Sequence, residues 1–221
     1  MPPMIILIGG EKGGTGKTTI ATNLSAWLAG SGRDVLLVDA DRQGTARWWC
    51  DRRQETEGVS TIQCVQRYGK LQATIRDMAS RFDDVIIDCG GQDSNELRSA
   101  MLVAEAMFIP VQASILDLVT LEHVAELVES AQINNPELRA HVFLSKAPTN
   151  QSSEEKAALK ALEQALPEGI PVLKTVIHDR RAFRDAAKSG KSVLEWTDGK
   201  ASAEFKAFCS EILKYATAEA A

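Results

Sequence analysis

Between an apolar run ending at Ile8 and a helix-forming stretch lies Glu11-Lys12-Gly13-Gly14-Thr15-Gly16-Lys17-Thr18-Thr19, a set of residues suited to gripping a chain of phosphates. Glycines let backbone N–H groups converge on a phosphate without side-chain obstruction, and the following helix N-terminus adds partial positive charge. In that arrangement Gly13, Gly14, Thr15, Gly16, Lys17, Thr18 and Thr19 hold the nucleotide. Lys17 reaches the β- and γ-phosphates, and the Thr18 hydroxyl ligates Mg²⁺. The plain phosphate-loop pattern asks for glycine at position 11, where this chain has glutamate. A turn that merely ends a strand would account for the glycines, but not for strand, loop, Gly-Lys-Thr and helix together.

Three aspartates complete the candidate chemistry. Phosphoryl transfer depends on charge neutralisation and in-line placement of the attacking water more than on covalent steps. Asp39 and Asp41 close an apolar run, and residues i and i+2 of an extended chain point the same way. Both are therefore expected at the carboxyl edge of a sheet, where doubly wound folds bind ligands. Asp88 ends the apolar run Asp84–Asp88, a place that suits a metal-supporting acid as well as an ordinary turn aspartate. The segment Leu144-Ser145-Lys146-Ala147-Pro148 lacks the aspartate with which related GTPases read guanine, so ATP is the expected nucleotide.

The elements that must position these groups alternate short β-branched runs with helical periods. Strands are expected at Ile5–Ile8, Val35–Asp39, Ser60–Val65, Asp84–Asp88, Ala106–Val111, Ala140–Ser145 and Val172–Val176. From Asp117 to Asn134, Leu118, Leu121, Val124, Val128 and Ala131 recur at spacings of three and four, one buried helical stripe. Ser152 with Glu155 reads as a capping box. Repeated β–α alternation implies right-handed crossovers and an α/β, doubly wound, mostly parallel sheet with helices on both faces. No repeat or linker divides the chain, so residues 1–221 read as one domain, with 216–221 frayed.

Composition limits the alternatives. The chain has 221 residues, 44% hydrophobic and 25% charged, close to an average globular protein and far from a disordered or fibrous one. A formal charge of −5 excludes a uniformly basic nucleic-acid coat, so any DNA contact needs a local basic patch. Four cysteines without a C-x-x-C pair argue against a disulfide framework or a structural zinc site. Met4–Ile8 runs straight into the glycine loop and reads as a strand rather than a secretion signal. No apolar stretch approaches the roughly 18 residues needed to span a bilayer. The expectation is a cytoplasmic protein.

The loop with its extra lysine resembles the deviant Walker A motif of the ParA/MinD group of P-loop ATPases. Val38-Asp39-Ala40-Asp41-Arg42-Gln43-Gly44 is similar to that group's D-x-D-P-Q-G switch segment, with Arg42 where proline is usual. Asp84-Val85-Ile86-Ile87-Asp88 resembles its Walker B strand, followed by Cys89-Gly90-Gly91 in place of Thr-Pro-Pro. Phe183 through Glu195 resembles a C-terminal stretch of the partition branch, and the short plasmid-type proteins, which lack an N-terminal DNA-binding extension, match best. The resemblance implies Lys12, Lys17 and Asp41 as catalytic residues. Lys12 would cross into a partner subunit, Asp41 would orient water, and Asp39 and Asp88 would support Mg²⁺ through its water shell. It further implies an ATP-dependent homodimer, non-specific DNA binding in the nucleoid, and a centromere-bound ParB-like adaptor that stimulates hydrolysis. A positioning ATPase for a protein assembly, or a metabolic enzyme like dethiobiotin synthetase, would share the loop.

The window from Lys174 to Lys191 holds six basic residues, Lys174, Arg180, Arg181, Arg184, Lys188 and Lys191, against Asp179 and Asp185. Arg181, Arg184 and Lys188 fall at helical spacing, a face suited to DNA phosphates or simply to water. Arg42, Arg47, Arg52 and Arg53 surround Trp48 and Trp49, which an amphipathic helix would turn inward. Near the C-terminus Phe205, Phe208, Ile212 and Tyr215 share a helical stripe. Its polar face mixes Glu204 and Glu211 with lysines, so core packing suits it better than a membrane surface.

Overall fold

Each strand of the central sheet is nearly all apolar because both of its faces are covered. The computed structural model describes residues 4–91, 93–112, 115–150 and 152–217, with the backbone alone at 115–120, 152 and 217. In chain order the elements are β1 (Met4–Ile8), α1 (Lys17–Gly30), β2 (Val35–Ala40), α2 (Thr45–Gln54), β3 (Gln63–Gln66), α3 (Gln72–Ala79), β4 (Asp84–Cys89) and α4 (Asn95–Met101). There follow β5 (Ala106–Val111), α5 (Ile115–Gln132), β6 (Arg139–Ala147), α6 (Ser152–Ala165), β7 (Ile177–His178), α7 (Arg181–Ala187) and α8 (Gly199–Thr217). The strands form one sheet in the order β3-β2-β4-β1-β5-β6-β7, parallel throughout.

Strand alternation sorts the core into two layers. Ile6, Ile8 and Leu37 face Ile20, Leu24 and Leu28 of α1, Trp49 of α2, and Phe205 and Phe208 of α8. Leu7, Leu36 and Val38 face Ile75, Leu97, Leu121 and Leu162, from α3 to α6. The sheet thus carries helices on both sides, as expected. Register places Asp39 beside Asp88 across β2 and β4, and Ile8 beside Asp88 across β1 and β4. Loop, switch aspartates and Asp88 therefore meet at one carboxyl edge.

Three expected elements differ. Pairing of β3 begins at Gln63 rather than Ser60. Val172–Val176 is not a strand: Val172 makes a single bridge to Val142, and pairing with β6 resumes only at Ile177. The Glu211 carboxylate explains the gap, because it takes the backbone N–H groups of Lys174 and Thr175 at 2.7 and 2.8 Å and so withdraws them from the ladder. Ala216 does not fray. It is buried in α8, and its carbonyl accepts from Arg139 Nη2 at 3.0 Å. Residues 218–221 lie outside the described residues.

Leu121, Val124, Val128 and Ala131 form the buried stripe of α5, while the side chains of Leu118 and Ser152 lie outside the described residues. Glu155, the other half of the expected capping box, has its carboxylate 3.1 Å from His178 Nε2. The apolar stripe of α8 is core: Phe205, Phe208 and Ile212 are fully buried, and Tyr215 packs on His141 at 4.5 Å. Among the described residues no helix is long and apolar enough to cross a membrane.

Candidate nucleotide site

The phosphate loop joins β1 to α1 with an unusually open helix start. Gly16, the N-cap, has φ of 98° and no side chain, and the first turn of α1 holds no acidic residue. Its leading N–H groups are therefore left to attract an anion. Gly14 also has positive φ, 77°, which L-residues rarely adopt. Lys17 is buried, and its ammonium donates to the Lys12 carbonyl at 2.6 Å. Burial lowers its pKa, against the opposing pull of Asp88 and Asp41. A phosphate oxygen is a charged and stronger acceptor than that carbonyl, so an incoming nucleotide recruits Lys17 from its resting partner.

Neighbouring strands brace the loop from outside. Ser145 Oγ at the end of β6 donates to the Thr15 carbonyl at 2.9 Å, and Gln112 Nε2 to the Gly14 carbonyl at 3.2 Å. Gly91 presses on it most closely. A Cβ there would stand 2.6 Å from Gly13 N and 2.8 Å from the Lys12 carbonyl carbon. Backbone cannot yield as a flexible side chain can, so Gly91→Ala is expected to push the loop outward. Nucleotide affinity should fall by about tenfold, the consequence of roughly 1.4 kcal/mol of overpacking. Isothermal titration of wild type and variant with ADP checks this, and equal affinities would dispose of the brace. Gln112 lies in no motif, and Ser145 and Gly91 fall in motif segments read without this bracing role, although two successive glycines after a buried strand are a signal of close backbone approach.

The three aspartates occupy distinct environments. Asp88 is fully buried, and no donor closes a well-formed hydrogen bond on either carboxylate oxygen, with the Thr18 hydroxyl close by. Burial drives its pKa up to about 8, opposed by the Thr18 hydroxyl and, more weakly, by Lys17. An orphaned buried carboxylate facing Thr18 fits a hydrated Mg²⁺, whose waters would supply the missing donors. Asp39 is equally buried but already employed. Its oxygens accept the N–H groups of Asp41 at 3.1 Å and Arg47 at 2.8 Å, so it ties the switch segment to the first turn of α2. Burial raises its pKa, and those backbone donors pull it back.

Asp41 lies beyond the end of β2, where strand alternation stops, so the expected common orientation of Asp39 and Asp41 fails. Asp41 alone of that pair lines a cleft of about 490 Å³ with Gly13, Gly14, Arg42, Gln43, Gly90, Gly91 and Glu96. Its Oδ1 accepts the Gln43 N–H at 3.0 Å. On the far side of the loop a second recess is lined by Gly16, Thr19, Lys146, His178, Asp179 and Phe183, among others. Lys146 there has φ of 54°, the only non-glycine residue with positive φ among the described residues.

The basic window is less open than its composition suggests. Arg180 is withdrawn from the surface by Glu204, which accepts from both its Nε and Nη2 at 3.0 and 2.8 Å. Glutamates of α8 were invisible to a count over the local sequence. Arg181, Arg184 and Lys188 are exposed on α7, each paired with an aspartate, Asp185 or Asp179. Such exposed pairs hold weakly and release readily to a polyanion. Lys174 is exposed, and Lys191 is half-buried with its carbonyl facing Trp49 Nε1 at 3.3 Å. The two tryptophans divide: Trp49 is core, Trp48 is exposed beneath Arg52.

A strand-end loop with an uncapped helix behind it, an inward lysine and an orphaned carboxylate define a nucleotide-binding domain. Residues 6–193 match the CobQ/CobB/MinD/ParA nucleotide-binding domain, and the chain belongs to that family. It is 32% identical over 192 residues to the "Maintenance of carboxysome distribution protein A" of Halothiobacillus neapolitanus, with 86% of each chain covered. It is 28% identical to the chromosome-partitioning ATPase Soj of Thermus thermophilus, covering 86% of this chain and 87% of Soj. Its fold is that of a Borrelia burgdorferi plasmid partition protein described as bound to AMPPNP. That match has a TM-score of 0.76 at 17% identity, covering 96% and 99% of the two chains.

Proposed function

We propose that the chain is a partition-type ATPase that distributes a cargo over DNA. ATP and Mg²⁺ close two copies into a sandwich dimer. The dimer holds DNA without sequence preference, and a cargo-bound adaptor stimulates hydrolysis and release. Within each site Lys17 and the loop N–H groups bind the triphosphate, while Thr18 and Asp88 hold the metal with its waters. Bound Mg²⁺ neutralises charge that develops on the phosphates. Asp41, alone of the aspartates in the open cleft, orients the attacking water, and Asp39 fixes the switch segment that carries it.

The observation that carries this reading is the second lysine. Lys17 already serves its own loop from inside, and Lys12, half-buried, is a second lysine just before the exposed Gly13 and Gly14. Lent to a partner's phosphates, Lys12 would act as an arginine finger does. For the cargo, similarity to Soj supports a DNA site held by a ParB-like adaptor. Similarity to the carboxysome distribution protein supports a protein assembly about as well.

Light scattering and DNA binding with ADP, ATP and a non-hydrolysable analogue test the dimer. Wild type should dimerise and retain DNA only with the triphosphates, with retention falling steeply between 50 and 200 mM salt, as phosphate contacts do. Lys12→Ala should bind nucleotide yet stay monomeric and release DNA. Equal ATP-driven dimerisation of variant and wild type would refute the crossing lysine.

A further inference from the structure

The cleft that faces the γ-phosphate side of the loop has an electrostatic fault that one residue can correct. Its described lining includes two carboxylates, Asp41 and Glu96, and one cation, Arg42. Glu96 is held charged: the Gly69 N–H accepted at 2.8 Å keeps its pKa below the ordinary glutamate value, with help from Ser94 and Arg42. A triphosphate entering this cleft meets those two anions and, deeper, the buried Asp39 and Asp88. Positive charge on the open side is required, and Lys17 is committed to the loop's interior.

Arg42 is free to supply it. Its side chain is 79% exposed, its Nη2 lies 4.0 Å from Glu96 Oε1, and its guanidinium rests over the Tyr68 ring at 5.3 Å. Both contacts are of the exposed, weakly held kind. The backbone beneath is better fixed. The Gln43 and Gly44 N–H groups bond to Asp41, and Asp39 anchors both Asp41 and α2. An exposed, weakly held cation on a fixed segment, one residue from the carboxylate proposed to orient water, is placed as an arginine that serves phosphoryl transfer from within its own subunit would be.

We propose that Arg42 is a catalytic residue contributed in cis. On ATP binding its guanidinium leaves Glu96 and Tyr68 and donates to the γ-phosphate oxygens, stabilising the charge that spreads over them as the β–γ bridging bond breaks and water attacks. Proline is usual at this position in the ParA/MinD switch segment, so the role belongs to this chain's own residue. The proposal rests on the ATPase reading above.

Single-turnover hydrolysis of MgATP, with MgATP and MgADP affinities measured in parallel, tests it for wild type, Arg42→Ala and Arg42→Lys. Arg42→Ala should hydrolyse about 30-fold or more slowly, a modest fraction of the effect of a full arginine finger. MgADP affinity should stay within about twofold, because the β-phosphate belongs to the loop. Arg42→Lys should recover part of the rate, since it keeps the charge but not the planar fork. Hydrolysis by Arg42→Ala at the wild-type rate overturns the proposal. So does an equal loss of MgADP and MgATP affinity, which would mark Arg42 as a general attraction for anions. A wild type that binds MgATP but never hydrolyses it would instead overturn the ATPase reading, and the role of Arg42 with it.

Discussion

Asp88→Asn is expected to stabilise the nucleotide-free protein at pH 7 by up to about 4 kcal/mol and, at the same time, to remove its response to Mg²⁺. The two effects share a cause. An aspartate with an ordinary value of 3.8 sits at about 8 in the folded chain, because burial penalises its charge and Asp39 and Asp41 repel it, outweighing the Thr18 hydroxyl and Lys17. Between those values the folded state keeps a proton that the unfolded state releases. The favourable contribution is therefore complete below pH 4 and declines as pH rises, by about 1.4 kcal/mol per unit, until the folded group itself ionises near 8. Asparagine does not titrate, so the variant escapes that decline, although its buried amide donors take back part of the gain. Thermal or urea unfolding in EDTA from pH 4 to 8 should show the two proteins diverging as pH rises. Mg²⁺ added with nucleotide should raise the stability of wild type alone. Parallel pH profiles would mean that Asp88 is charged and satisfied in solution, and the proposed metal position would lose its main support.

The same aspartate shows how far sequence could reach. Its position at the end of an apolar run announced a functional acid, and so did Lys17 and Thr18 beside glycines. These are local patterns, read within a few residues. Asp39 and Asp41 were legible as a pair, and the resemblance gave each a role, but the backbone anchoring by Asp39 was not legible. That depends on where β2 stops, and on an N–H from α2 eight residues on from Asp39. The parallel sheet with helices on both faces followed from β–α alternation, whereas the strand order β3-β2-β4-β1-β5-β6-β7 did not. The lost strand at Val172–Val176 did not either, because Glu211, distant in sequence, captures its donors. Arg180 illustrates the same limit. Its neighbours in sequence made it look like an exposed cation, while its neighbour in space, Glu204, made it part of the fold.

Arg53 is the strongest example, and its removal should be the largest single loss of stability among these substitutions. On α2 it stands in sequence beside the exposed Arg52 and close to Arg47, yet its side chain is 2% exposed. Its Nε donates to the Ser60 carbonyl at 2.8 Å, and its Nη1 to the Gly190 carbonyl at 3.0 Å. Both terminal nitrogens fork onto Glu195, at 2.9 and 2.6 Å, and the guanidinium lies over Trp49 at 5.1 Å. Burial pushes the Glu195 pKa up, but the Arg53 fork and the Ser192 donors outweigh it and hold the carboxyl below its ordinary value. Gly190 must be glycine for this to close, since φ is 62° and a Cβ there would lie 2.3 Å from Arg53 N. Arg53→Ala leaves the half-buried carboxylate with only its Ser192 donors and strands two carbonyls, and breaking a buried pair from one side costs about 3–5 kcal/mol. Glu195→Ala leaves a buried guanidinium with its two carbonyl partners and no counter-charge. The double variant should cost less than the sum of the two single ones, by about 1–3 kcal/mol of coupling. Denaturant unfolding of the four proteins measures this directly. Strict additivity would mean that the fork does not fasten α2, the helix that Asp39 ties to the nucleotide switch, to the C-terminal segment carrying Arg181 and Arg184.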